Sequence, residues 1–298
     1  MRSGAIAVVG RANAGKSTLI NVIVGEKVSI VSPKPQTTRD RILAVYNEED
    51  CQMVFQDTPG IYKAGTLLSE RMQRATENAS KDVDLILLLI DAHEGIKDED
   101  KALVARFAER KIPMVVTFTK MDIMQKSVLL SAIAALGELP ANVVCVTSVS
   151  SRTGKNVKKL LKILKENLPE GDPLITDDII SDKSEKFMIS EIMREKILLK
   201  YDKEIPHGVA IVINEFTRRE NGSYYVNLDI VCEKQNHKAI IISKQGKALK
   251  ETAGFARAGM EKFLNAKVFL EVYVKVKEDW RDRPDRLKEF GYSETDKK

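Results

Sequence analysis

The sequence predicts an α/β fold with a mostly parallel sheet, followed by a smaller α+β domain. Three observations carry this. Gly10-Arg11-Ala12-Asn13-Ala14-Gly15-Lys16-Ser17 fits the phosphate-loop pattern G-x-x-x-x-G-K-[ST], between an apolar run at 5–9 and a stretch at 18–24 that is apolar at helical spacing. Residues 83–90 are almost continuously apolar, as expected of a strand buried on both faces of a parallel sheet. Strands then alternate with helices to residue 168, where Pro169-Glu170-Gly171-Asp172-Pro173 breaks the pattern and opens a polar linker reaching residue 182. The expected domains are therefore 1–168 and 183–298.

In the first domain the strand, loop and helix of the motif set up a phosphate site. Its glycines let backbone N–H groups curl around a phosphate chain, and the helix N-terminus adds a favourable dipole. Lys16 is expected to reach the β/γ-phosphates and Ser17 to ligate Mg²⁺ through its hydroxyl. Residues 29–40 hold two prolines and several hydroxyl side chains and read as a loop. Two strands follow, at 42–46 and 52–55, joined by Asn47-Glu48-Glu49-Asp50. The second runs into Asp57-Thr58-Pro59-Gly60, where a strand-end carboxylate suits magnesium and the Gly60 N–H suits a γ-phosphate. Helices are expected at 97–109, 127–136 and 157–168, and strands at 112–118 and 143–146. Thr119-Lys120-Met121-Asp122 and Thr147-Ser148-Val149 follow the last two strands. Ligands of such sheets bind beyond the C-terminal strand ends, so every motif lies on one rim.

The bulk properties narrow the class. No apolar run approaches the ~20 residues that span a bilayer, and the first residues lead straight into a strand, so a cytoplasmic protein is expected. Cys51, Cys145 and Cys232 are odd in number and far apart, which argues against a disulfide framework or a zinc site. The net charge of +5 resides in residues 183–298, with 24 Lys+Arg against 19 Asp+Glu, whereas 1–182 balance at 24 each. An excess of this size is a hint of an anionic partner.

In order and spacing, Gly10–Ser17, Thr37-Thr38, Asp57 to Gly60, Thr119 to Asp122 and Thr147 to Val149 resemble the five nucleotide motifs of the translation-factor class of small GTPases. That resemblance implies GTP/GDP with Mg²⁺. Nucleotide contacts then fall to residues 10–18, to Asp57, Thr58, Pro59, Gly60 and Ile61, to Thr119, Lys120, Met121 and Asp122, and to Ser148 and Val149. Lys16, Thr38 and Gly60 become the catalytic group, and Ser17, Thr38 and Asp57 the metal ligands, Thr38 being favoured over Thr37. Guanine would be read by Asp122, whose acceptor-only carboxylate matches the N1 and N2 donors and repels the adenine pattern. Lys120 would stack its stem along the base, while Ser148 and the Val149 N–H would close over O6. The family usually has Asn where Thr119 stands and Ser-Ala where Ser148-Val149 stand. Ile61 replaces the water-orienting Gln of Ras-like proteins, so slow hydrolysis without a partner is expected. Asn13 either helps to hold a monovalent cation such as K⁺ or simply caps the loop.

In the second domain, residues 184–201 form an amphipathic helix with Ser184 as its N-cap. Strands are expected at 209–216, 224–232 and 268–276, with Asn221-Gly222 in the first turn, and a helix at 247–264; residues 239–242 are a short third apolar stretch. Ser243-Lys244-Gln245-Gly246 resembles the Gly-x-x-Gly turn of a KH (type II-like) RNA-binding domain, with Ser243 in place of the first glycine. Ser243, Lys244, Gln245, Gly246, Lys247 and Lys250 are the candidate RNA contacts. Both domains together, with Val272 to Trp280 and Phe290-Gly291-Tyr292, resemble the Era-type family of bacterial GTPases over nearly the whole chain. The resemblance implies binding near the 3′ end of small-subunit ribosomal RNA, assistance in 30S subunit maturation, loose association with the inner membrane face, and a monomer. Two alternatives remain: a GTPase whose KH-like domain binds protein, and an RNA chaperone with negligible hydrolysis.

Overall fold

The computed structural model describes residues 1–60, 65–91, 93, 95–176 and 178–292; Ile61 lies outside the described residues. In chain order the elements are β1 (Arg2–Gly10), α1 (Lys16–Val24), β2 (Ile42–Glu48), β3 (Cys51–Asp57), α2 (Leu67–Ala79), β4 (Leu85–Asp91), α3 (Asp98–Ala108), β5 (Met114–Thr119), α4 (Lys126–Ala135), β6 (Val143–Ser148) and α5 (Val157–Glu166). After the linker come α6 (Glu185–Lys200), β7 (Ala210–Arg218), β8 (Tyr224–Cys232), α7 (Gln235–Ile242), α8 (Lys247–Leu264), β9 (Val268–Val276) and α9 (Pro284–Glu289). The chain divides into two compact units: Met1–Ser29, Thr38–Lys63 and Met72–Asp182 form one, and Ile30–Thr37, Ala64–Arg71 and Lys183–Lys298 the other.

The first unit is built on a six-stranded sheet of order β2-β3-β1-β4-β5-β6. Only β2 runs antiparallel to its neighbour; the remaining pairs are parallel. Its apolar strands are unbroken because both faces are covered. Ile6, Val8, Leu85, Leu87 and Leu89 pack on one side with Leu19 and Ile20 of α1 and Leu160 and Leu164 of α5. The alternate residues Ala7, Val9, Ile86, Leu88 and Ile90 pack on the other with Leu103 and Phe107 of α3. The period of two thus decides which core each residue joins. Strands β1, β3, β4, β5 and β6 end at Gly10, Asp57, Asp91, Thr119 and Ser148, along one rim.

The polar segment after α5 runs along the sheet edge. Gln52 accepts from the Leu174 and Ile175 N–H groups at 2.7 and 3.0 Å and donates to Ile175 O at 2.7 Å. Val45 N–H donates to Ile180 O at 2.8 Å, and Leu43 N–H to Asp182 Oδ1 at 2.8 Å. The last two bonds satisfy backbone groups of the edge strand β2 that would otherwise offer a pairing template.

The second unit carries a three-stranded sheet of order β7-β8-β9, antiparallel between β7 and β8 and parallel between β8 and β9. Ile189, Ile192, Met193 and Ile197 of α6 and Ala256 and Met260 of α8 bury against Val226, Leu228 and Ile230 of β8. Ser184 Oγ accepts the Phe187 N–H at 3.2 Å and so caps α6. Residues 239–242, read from sequence as a separate apolar stretch, are the second half of helix α7, so the order is α-β-β-α-α-β. Trp280 is fully buried, donates from Nε1 to Gly208 O at 3.0 Å and packs against Phe290 and Tyr292. In the same unit the buried Arg194 guanidinium pairs with Glu191 and donates to the carbonyls of Gln36 and Thr37.

Candidate nucleotide site and nucleic-acid interface

The phosphate loop needs its glycine at residue 10. Gly10 has φ of 151°, and a Cβ there would sit 2.4 Å from Leu89 O. Asn13 adopts the left-handed region at φ 64° and Gly15 at φ 88°. Lys16, the first residue of α1, is buried; its Nζ donates to Gly10 O at 3.2 Å and to Arg11 O at 3.1 Å. Burial lowers its pKa to about 8, with Asp57 opposing the shift. Arg11 is drawn the other way: its Nε bonds Asp100 Oδ1 at 2.7 Å. Ala12 and Thr18 are half-buried beside the loop, while the Ala14 carbonyl faces β5.

Two hydroxyls meet Asp57, and a third is joined to it through one of them. Ser17 Oγ donates to Asp57 Oδ2 at 2.7 Å and lies 2.9 Å from Thr38 Oγ1. Ser29 Oγ donates to the same carboxylate oxygen at 2.8 Å. Asp57 Oδ1 is buried and has no hydrogen-bond partner among the described residues. Burial raises the carboxyl pKa against the pull of Lys16 and the two serines. Hard oxygen donors around a carboxylate with a spare oxygen are the ligand chemistry of Mg²⁺. Thr37 is turned elsewhere: its Oγ1 donates to Lys34 O at 2.6 Å and lies 2.7 Å from Ser32 Oγ. Thr58 is buried and donates to Val8 O at 2.8 Å, and Pro59 O accepts from Thr76 Oγ1 at 3.1 Å. Gly60 lies against the loop, where a Cβ would come within 2.7 Å of Ala12 Cα.

The residues expected to meet the base lie at the ends of β5 and β6. Thr119 Oγ1 donates to Ala14 O at 2.9 Å, so a threonine still ties this strand end to the phosphate loop. Lys120 has a left-handed backbone, φ 59°, and its Nζ is 2.5 Å from Asp91 Oδ2. Met121 N–H donates to Val149 O at 3.2 Å. Asp122 is exposed and accepts from Ser150 Oγ at 2.6 Å, which holds its carboxyl below the usual carboxylate range.

Ser148 and Val149, expected over guanine O6, are both engaged within the protein. Val149 is fully buried in the core, and its N–H donates to Phe118 O at 2.8 Å. Ser148 belongs to β6, with its carbonyl accepting from Asn156 Nδ2 at 2.9 Å. The residue that reaches Asp122 is Ser150, two positions beyond Ser148 and outside the expected motif. Thr153 N–H donates to Ser150 Oγ at 3.1 Å and Ser150 N–H to Lys155 O at 3.1 Å, so this turn follows the strand rather than belonging to it.

In the second unit, Ser243 joins α7 to a single 3₁₀ turn, Lys244–Gly246, and then to α8. Its backbone is at φ 60°, ψ −179°, a conformation natural to glycine. The serine compensates in part, since its Oγ accepts the Ala248 N–H at 2.8 Å. Gln245 and Gly246 are also left-handed, at φ 55° and 72°. Lys244, Gln245, Lys247 and Lys250 are exposed around the turn, a cluster of donors suited to a phosphate backbone.

Together, the phosphate loop, the Ser17–Thr38–Asp57 cluster and the Lys120–Asp122 loop on a mostly parallel sheet define a P-loop GTPase, here followed by a KH domain. Family comparison agrees: the 50S ribosome-binding GTPase family matches residues 5–120, and the KH domain family matches residues 204–281. The GTPase Era of Clostridium kluyveri is 42% identical over 292 residues, covering 98% of this chain and 99% of the relative. That of Clostridium beijerinckii is 41% identical over 297 residues, covering 100% and 99%. A crystal structure of Era in complex with MgGDPNP and nucleotides 1506-1542 of 16S ribosomal RNA superposes with a TM-score of 0.93 at 36% identity, covering 98% of this chain and 99% of that one. A point variant of Aquifex aeolicus Era bound to GDP·AlF4⁻ also gives 0.93 at 36% identity, covering 98% and 100%. The chain belongs to the Era family of GTPases.

Proposed function

We propose that this GTPase uses its nucleotide state to control how the KH domain engages ribosomal RNA near the 3′ end of the small subunit, in support of 30S maturation. The observation that carries the reading is the joining of Ser17, Thr38 and Asp57 by hydrogen bonds of 2.7 and 2.9 Å. Thr38 comes from the loop after α1 and Asp57 from the end of β3, so a γ-phosphate and its Mg²⁺ would bias the position of that loop. The metal would be held by Ser17, Thr38 and Asp57 and would offset charge on the β- and γ-phosphates. Lys16 donates to the phosphate oxygens, the loop N–H groups surround them, and the Gly60 N–H faces the γ-phosphate. Hydrolysis adds water to the γ-phosphorus and releases GDP and phosphate. Asn13 is taken as a helper of potassium beside the phosphates; equal hydrolysis in sodium and potassium buffers removes that role.

Guanine is bound by the Asp122 carboxylate, with the Lys120 stem along the ring and O6 toward the turn that follows Ser150. For the RNA, support comes from the exposed lysines at the Ser243 turn and from the Era complex with a 16S ribosomal RNA fragment. Among the described residues no helix is long and apolar enough to cross a membrane; membrane association in this reading is peripheral. One chain is taken as the working unit. The test is crosslinking to a 16S 3′-end RNA with GTP and with GDP. Stronger crosslinking in one nucleotide state, lost in Lys244→Glu, supports the reading. Equal crosslinking in both states removes the switch, and none in either favours a protein-binding KH domain.

A further inference from the structure

Asp91 ends β4 and stands in register with Thr119 on β5. Its side chain is 6% exposed, so its charge is almost wholly withdrawn from water. A carboxylate in such a place is unfavourable unless it is compensated. Compensation comes from two sides. Asp91 Oδ2 is 2.5 Å from Lys120 Nζ, and Asp91 Oδ1 accepts the His93 N–H at 3.2 Å.

Lys120 is thereby fixed at both ends. Its backbone sits at φ 59°, ψ 32°; its carbonyl accepts the Ile123 N–H at 3.1 Å, and the next N–H, of Met121, donates to Val149 O. At the other end its ammonium is anchored by Asp91. The side chain between them is 39% exposed, so part of it is open to a ligand. Free lysine side chains lose more rotamer entropy on ordering than almost any other. A stem held in place before the ligand arrives does not incur that loss on binding.

We propose that Asp91 is a positioning residue for the nucleobase: it anchors the Lys120 ammonium so that the aliphatic stem is already laid out as a platform for the purine. The proposal rests on the guanine-binding reading above and adds to it a residue that touches neither base nor phosphate. Asp91 acts through Lys120 alone, so its contribution belongs to base-bearing ligands and not to the phosphate loop.

The test uses the full chain with GDP and with inorganic pyrophosphate as a base-free competitor. Asp91→Asn is expected to weaken GDP about tenfold, the scale of one ordered lysine side chain. The change should appear in the off-rate, with pyrophosphate displacement unchanged. Lys120→Met, at a partly exposed position, provides a second route should Asp91→Asn fold poorly. It should weaken GDP similarly, and adding Asp91→Asn to it should cost nothing more in affinity. An Asp91→Asn protein that keeps wild-type GDP affinity overturns the proposal, as does an equal loss for GDP and pyrophosphate, and as do additive losses in the double variant. A wild-type chain that binds pyrophosphate but gains nothing from the guanosine refutes the base-binding reading itself, and is seen before any variant is made.

Discussion

Ser150 Oγ donates to Asp122 Oδ1 at 2.6 Å, joining the turn after β6 to the loop after β5. Ser150 is fully buried and Asp122 exposed, so the serine side chain is the fixed partner and the carboxylate the one being aimed. In the guanine-binding reading, an acceptor-only group that is to face the N1 and N2 donors gains from being turned before the base arrives.

Ser150→Ala should therefore weaken GDP about tenfold, the usual scale for a hydrogen bond to a charged group. It should also move the pH dependence. The hydroxyl is the largest influence holding the Asp122 carboxyl below its ordinary 3.8. A depressed carboxyl keeps its charge above that ordinary value and loses it as pH falls through the folded value. Without Ser150 the folded value rises, so guanine affinity falls away at a higher pH during acidification. GDP titrations from about pH 6 downward, on wild type and variant, check the sign. Unchanged pH profiles would mean that Ser150 only supports the turn.

Two adjacent threonines allow a sharp comparison. Thr38 Oγ1 meets Ser17 at 2.9 Å, whereas Thr37 Oγ1 is bonded to Lys34 O and Ser32. Thr38→Ala should lower the magnesium dependence of GTP binding and slow hydrolysis by about 10²-fold, the scale seen when one transition-state donor is removed. Thr37→Ala should leave both within about threefold, because it alters a local loop bond worth about 1 kcal/mol. Single-turnover hydrolysis across a magnesium series separates them; equal effects would remove the distinction.

The legible parts of this chain are those in which local pattern and global role coincide. β4 could be read because burial on both faces leaves an unbroken apolar run, and the phosphate loop because its spacing is imposed by the ligand. Helix α2 could not: Leu67–Ala79 is mostly polar, with few apolar residues to mark a face. Helix α7 was obscured because its first half, Gln235 to Lys238, is polar, leaving Ile240, Ile241 and Ile242 to mimic a strand. The turn after β6, proposed to meet the base, offers two serines two residues apart. What separates them is tertiary: the Val149 N–H is engaged by Phe118 O and its side chain by the core. Asp91 carried no motif at all, since its meaning depends on β4 and β5 being neighbours.

Gly60 tests close approach. A Cβ there would lie 2.7 Å from Ala12 Cα and 2.8 Å from Ala12 N, both backbone atoms of the phosphate loop. Backbone cannot swing aside as a side chain does, so Gly60→Ala must push the two segments apart. Expected are a loss of about 1–3 kcal/mol in stability and hydrolysis at least about tenfold slower, with GDP binding affected less than GTP. Chemical denaturation and single-turnover assays read the two effects separately. Wild-type hydrolysis in a stable Gly60→Ala protein would show that the contact is not needed for the reaction.

The Ser243 turn poses a choice between backbone comfort and a side-chain bond. At φ 60° and ψ −179° a serine is strained by about 1–3 kcal/mol, yet its Oγ holds the Ala248 N–H at the start of α8. Ser243→Gly relieves the first and forfeits the second, so stability should change by less than about 1 kcal/mol. RNA affinity should hold or improve, because a glycine lets a phosphate come closer to the chain. Lys244→Glu and Lys247→Glu act differently. Both lysines are exposed, so folding should be unaffected, while each charge reversal should weaken a 16S 3′-end RNA at every sequence tried. Each should also reduce the slope of log affinity against log salt by about one. If the slopes match wild type, these lysines lie outside the RNA path and the turn serves the fold alone.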